Sequence, residues 1–164
     1  MVQIRKMLPS DWPEVAAIYT EGLRTNIATL QTECPDYPQW DASHLQQCRL
    51  VAVDGGRVLG WAALTPASGR CVYAGVAEVS IYIAGEYRGK GIGSLLLSEL
   101  ITDSEREGLW TLQSGILPEN TASAKLHEKC GFRLVGVRER IGRDRFGIWH
   151  DTLLMERRSS ITGR

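Results

Sequence analysis

The chain has 164 residues, 43% of them apolar and 23% charged, the composition of a soluble globular domain. That length predicts one domain over residues 1 to 158, able to bury about 70% of its unfolded surface without a disulfide or a structural metal, followed by a frayed tail over 159 to 164. Nineteen Lys and Arg against nineteen Asp and Glu exclude a general nucleic-acid binder, whose affinity comes from neutralising phosphates. The charge is uneven along the chain: residues 1 to 54 carry 4 basic and 7 acidic side chains, the remainder 15 and 12. An anionic ligand therefore belongs to the later part. Cys34, Cys48, Cys71 and Cys130 form no C-x-x-C pair, which predicts free thiols in a reducing cytoplasm rather than zinc binding or thiol exchange. No apolar stretch approaches the roughly 20 residues of a membrane helix.

Residues 2 to 7 read as a first strand. Asp11-Trp12-Pro13-Glu14 has the spacing of a helix start, with Val15, Ile18 and Tyr19 following at helical intervals to about Leu23. Residues 24 to 40 read as a functional loop, with a short helix over 41 to 47. Asp54-Gly55-Gly56-Arg57 joins strands at 50 to 53 and 58 to 64 as a hairpin. A longer strand over 74 to 83 sets Val79, Ile81 and Ile83 on one face and Glu78, Ser80 and Tyr82 on the other. After a glycine-rich turn, Ile92, Leu96 and Leu100 mark a helix that ends at Gly108. Residues 109 to 116 form a strand, Asn120 opens a helix that Gly131 closes, and 132 to 141 and 146 to 155 are the last strands. The order β-α-α-β-β-β-α-β-α-β-β describes an α+β domain on a mixed sheet.

The chemistry concentrates at Arg88-Gly89-Lys90-Gly91-Ile92-Gly93-Ser94, between a strand and a helix, where backbone N–H groups gather around an anion. It is not a P-loop, because Gly85 to Gly89 leaves only three residues between glycines and Gly91 follows Lys90. Nor is it a dinucleotide fingerprint, since G-x-G-x-G replaces G-x-G-x-x-G.

Arg88-x-x-Gly91-x-Gly93 resembles the acetyl-CoA motif of the GNAT superfamily of N-acetyltransferases. The segment Asn120-Thr-Ala-Ser-Ala-Lys-Leu-His127-Glu-Lys-Cys-Gly131-Phe132 resembles that superfamily's second motif, in the right order and on the expected element. Within the superfamily the chain is most similar to the group that acetylates phosphinothricin, methionine sulfone or sulfoximine, and arsinothricin. The resemblance rests on Ala77-Glu78-Val79-Ser80-Ile81-Tyr82, Thr32-Glu33, His127 and Trp149-His150-Asp151. Ser68 stands where the group has Lys, and Leu30 replaces an aromatic.

The resemblance implies the GNAT fold, acetyl-CoA as co-substrate without a metal, a small anionic amino acid as acceptor, and a homodimer. It places the donor at Ile81, Tyr82, Ile83, Arg88, Gly89, Lys90, Gly91, Ile92, Gly93, Ser94 and Asn120, with an oxyanion donor at the backbone near Ile81. Glu78 is implied as base, with burial raising its pKa toward neutrality, and His127 as a proton-transfer partner. Arg70, Tyr73 and Glu33 are implied as acceptor-binding residues, Arg70 through its bidentate fork. Arg138, Arg140, Arg143 and Arg145 read as a solvated hairpin, one of whose members could reach the 3′-phosphate of CoA. Cys71 and Cys130 are the candidates for a rival covalent mechanism, without a context that marks a low-pKa thiolate. Two other function classes fit the same motifs: acetylation of peptide amino termini, and a non-catalytic acetyl-CoA sensor.

Overall fold

The computed structural model describes residues 1 to 164. Seven strands form one sheet in the order β1-β2-β3-β4-β5-β7-β6. They are β1 (Gln3–Lys6), β2 (Leu50–Asp54), β3 (Arg57–Pro66), β4 (Val76–Ile83), β5 (Thr111–Ile116), β6 (Arg133–Arg143) and β7 (Trp149–Arg158). Every neighbouring pair is antiparallel except β4 with β5. The helices are α1 (Trp12–Arg24), α2 (Tyr37–Ser43), α3 (Ile92–Arg106) and α4 (Thr121–Lys129). Element order and sheet type are those expected from the sequence.

The alternation along β3 builds two cores. Ala62 and Leu64 face α3, whose Leu96, Leu97 and Leu100 are fully buried against them. Trp61 and Ala63 face the other way, against Val15 and Ile18 of α1 and Trp40 of α2. Truncating any of the three α3 leucines to Ala would cost about 2–5 kcal/mol, the range for large-to-small core changes.

Several element boundaries differ from the sequence reading. The helix expected at 41 to 47 starts at Tyr37, because Asp36 and Gln39 form a reciprocal capping box: the Gln39 N–H donates to Asp36 Oδ1 at 3.0 Å and the Asp36 N–H to Gln39 Oε1 at 3.3 Å. Asp11 does stand at the N-cap of α1, as expected of the helix start there, while its side chain accepts two bonds from Arg5 and one from the Leu8 N–H. The last two strands run later than expected because Asp144 builds the turn between them, accepting from the N–H groups of Phe146 (2.8 Å) and Ile148 (3.0 Å). In the segment after β7, read as a frayed tail, Ser159 is buried and donates its N–H to the Trp110 carbonyl. Arg158 donates to the Thr162 and Gly163 carbonyls.

Candidate active site

The two parallel strands at the centre of the sheet part company. β4 pairs with β5 only from Val76 to Glu78, opposite Thr111 to Gln113, yet β4 continues to Ile83 along β3 and β5 continues to Ile116 along β7. Past Glu78 the strands fork. The Ala84 N–H donates to the Leu59 carbonyl at 2.9 Å, which fixes the phase of the β3–β4 ladder. Tyr82, Ser80 and Glu78 exchange bonds with β3, so Ile83, Ile81 and Val79 turn their backbone groups toward the fork. The fork thus presents a strand edge centred on Ile81, whose N–H and C=O groups find no strand partner and can pair with an extended ligand.

At the far end of β4 the chain turns through Gly89 and Gly91, at φ +73° and +81°. Gly91 is the N-cap of α3 in the left-handed region, which a side chain would strain. The α3 amino terminus is thereby aimed, with its positive end and free N–H groups, at a groove of about 380 Å³. This groove is lined by Ile81, Tyr82, Ile83, Arg88, Gly89, Gly91, Ile92, Gly93, Ser94 and Asn120. Of the positions expected to hold the donor only Lys90 is missing; its ammonium lies over the Tyr87 ring, 5.2 Å from the centroid. Arg88 lies 3.8 Å from Glu21 and donates to the Ile83 carbonyl. Asn120 caps α4, its Oδ1 accepting from the Ser123 N–H at 3.2 Å.

A second cavity of about 300 Å³ opens on the same fork and shares Ala28, Ile81, Tyr82, Asn120 and Ser123 with the groove. Glu78 and His127 both line it. Glu78 is exposed rather than buried as expected, because the strand that would cover it diverges immediately beyond its pair with Gln113. It takes part in no ion pair. His127 is 2% exposed and meets Phe132 edge to face. Its Nδ1 lies 2.8 Å from the Ser123 carbonyl, an acceptor only, so Nδ1 carries the proton and donates. Nε2 is then the acceptor, 2.8 Å from the Ser114 hydroxyl, which donates to it. Burial pushes the His127 pKa below its ordinary value, in keeping with a neutral ring. Neutral, His127 accepts a hydrogen bond from the Ser114 hydroxyl through Nε2.

The family model for the acetyltransferase (GNAT) family matches residues 9–132. The chain belongs to the GNAT acetyltransferase family. Among relatives of this acetyltransferase, the phosphinothricin N-acetyltransferase of Alcaligenes faecalis is 35% identical over 165 residues, covering 94% of this chain and 81% of that protein. The L-methionine sulfoximine/L-methionine sulfone acetyltransferase of Pseudomonas aeruginosa is 32% identical over 163 residues, covering 93% and 92%. The phosphinothricin acetyltransferase of Sinorhizobium meliloti, solved in complex with AcCoA, superposes with a TM-score of 0.88 at 29% identity over 99% of this chain and 90% of that one. A ribosomal-protein-alanine N-acetyltransferase from Brucella melitensis superposes at 0.87 with 31% identity, over 96% and 99%.

Three residues expected at the acceptor lie outside both cavities of the acetyltransferase chain. Arg70 and Tyr73 sit on the exposed β3–β4 connection, where the Arg70 N–H donates to Ser68 Oγ at 3.1 Å. Glu33 is exposed in the α1–α2 loop. That loop does contribute, through Thr25 and Ile27 to the groove, Thr29 and Leu30 to the second cavity, and Ala28 to both. Residues that sequence reading passed over are Ser114 on β5 and Ile141 and Thr152 on the β6–β7 hairpin, while Arg138, read as part of a solvated hairpin, lines the second cavity. None of the four cysteines lines either cavity, and burial pushes the Cys48 thiol up to about 12, away from the thiolate a nucleophile needs.

Proposed function

We propose that this acetyltransferase moves the acetyl group of acetyl-CoA directly to the α-amine of a small anionic amino acid of the phosphinothricin, methionine sulfone or sulfoximine, or arsinothricin type. The observation that carries the reading is the continuity of the two cavities at the fork, where the donor groove and the pocket holding Glu78, Ser114 and His127 share Ile81 and Tyr82. In this reading the pantetheine arm pairs with the free edge of β4 and the pyrophosphate lies at the α3 amino terminus. An α-amine has a pKa near 8, so a fraction is neutral at pH 7 and the remainder gives its proton to Glu78. The nitrogen attacks the thioester carbonyl, the C–N bond forms, and the Ile81 N–H donates to the oxyanion. Collapse breaks the C–S bond, and the thiolate leaves and takes a proton from solvent. Ser114 and His127 form a second proton acceptor chain from the pocket.

Homodimerisation belongs to the same proposal. β6 is one of the two edge strands of the sheet, and Leu134, Val135, Val137, Ile141 and Phe146 on the β6–β7 hairpin are 43–71% exposed, an apolar edge that asks for a partner strand or sheet. The likeness to the Brucella melitensis enzyme favours one second reading, a peptide amino terminus as acceptor. Thiol release from acetyl-CoA in the presence of methionine sulfone, methionine sulfoximine, phosphinothricin, arsinothricin, common amino acids and an alanine-initiated peptide separates the two. Turnover with the anionic amino-acid analogues and not with the peptide is the expected result; turnover with the peptide alone would falsify the proposal.

A further inference from the structure

The four arginines of the β6–β7 hairpin have different fates. Arg145 donates to the Leu23 carbonyl at 2.6 Å, tying the hairpin to the end of α1. Arg140 and Arg143 flank the Trp149 ring, 6.0 and 5.3 Å from its centroid. Arg138 makes no hydrogen bond or ion pair, and it alone among the cationic side chains lines the pocket of Glu78 and His127.

Its aim is built by an irregularity in the strand. Arg138 pairs with Thr152 and Gly142 with His150, so residues 139 to 141 of β6 oppose the single residue Asp151 of β7. In a regular strand Arg138 and Ile141, three apart, would point to opposite faces; here both line the pocket. The bulge that permits this carries Arg140 at φ +46°, a strained value for a residue with a side chain. It is held by Asp151, whose Oδ1 accepts from the Arg140 N–H at 2.7 Å. The neighbouring His150 bonds the buried Asp144 at 2.7 Å, which builds the hairpin turn. The Trp149-His150-Asp151 segment, with no evident part in the chemistry, thus organises the wall that carries Arg138.

We propose that Arg138 binds the acid group at the end of the acceptor remote from its amine, and that Asp151 is the positioning residue that aims it. Strand order fixes which end. The amine must reach Glu78 on β4, whereas Arg138 stands on β6 with β5 and β7 between and is also displaced along the strands, since Glu78 lies level with Gln113 and Glu156 but Arg138 with Thr152. A guanidinium there meets a distal phosphinate or carboxylate with charge-assisted bonds. The assignment rests on the acceptor class proposed above and sharpens it: the pocket selects for a second, distal anion.

The test is steady-state kinetics on wild type, Arg138→Ala, Asp151→Ala and Asp151→Asn, with phosphinothricin, which has a distal anion, and methionine sulfone, whose sulfone is uncharged. Arg138→Ala should raise KM for phosphinothricin about tenfold or more, as expected for a lost bond to a charged group, and KM for methionine sulfone by a clearly smaller factor. Asp151→Ala should show the same selective rise, and Asp151→Asn, which keeps an acceptor oxygen for the Arg140 N–H, should return KM for phosphinothricin to near the wild-type value. An equal change for both acceptors in Arg138→Ala, or none, overturns the inference while leaving the proposed reaction intact. So does a wild type that turns over methionine sulfone but not phosphinothricin. A wild type that acetylates neither overturns both.

Discussion

His127 is folded as a neutral imidazole, so the stability of the chain depends on pH. Its pKa in the folded chain lies below the ordinary value of 6.5 because burial penalises the charged ring. Between those two values the unfolded chain holds more protons, so stability rises with pH across that window and falls as the medium is acidified through it. Thermal melts of wild type and His127→Gln between about pH 5 and 7 should show a flatter dependence in the variant. Some slope should persist, because His44 is shifted in the same direction by its burial. An unchanged slope would mean that His127 is not the buried neutral group described. Glu78 and His127 were legible in the sequence as residue types at motif positions, but their surroundings were not. Whether a carboxylate on a strand is covered depends on where the next strand leaves it, and the Ser114 partner of His127 comes from β5, which no local spacing announces.

At the scale of elements, the donor groove was the most legible feature, because a strand, a positive-φ turn and a helix start are all local and their residues are contiguous. The α2 start was also written locally, as Asp36-x-x-Gln39, and was masked by the prolines around it. The acceptor wall was not legible. Arg138 enters it through a bulge that breaks the alternation of β6, and the bulge depends on Asp151 across the hairpin. The same hairpin supplies the exposed apolar edge. Light scattering on the purified protein should give the mass of a dimer, and Val137→Lys, which places a charge on a residue 56% exposed at that edge, should shift the population to monomer without lowering Tm appreciably. A monomeric wild type would contradict the assignment of β6 to an interface.

Across the whole molecule, the sheet is continuous except where β4 and β5 fork, and both cavities open there. Topology explains why. The only parallel pair lies at the centre, and each of its strands has an antiparallel partner on its outer side that holds it after the pair has separated. Each strand therefore keeps its outer ladder while its inner edge is free for a ligand. The net charge of zero fits this arrangement, since the proposed anion sites, the α3 amino terminus and Arg138, are local. No helix is long and apolar enough to cross a membrane. In the proposed reaction Glu78, at the mouth of the fork, takes the proton from the attacking amine. The direct measurement is thiol release from acetyl-CoA by Glu78→Gln with the preferred acceptor at neutral pH. kcat should fall by about 100-fold or more, the size expected for loss of a general base, with KM for acetyl-CoA unchanged; turnover equal to wild type would remove Glu78 as the base.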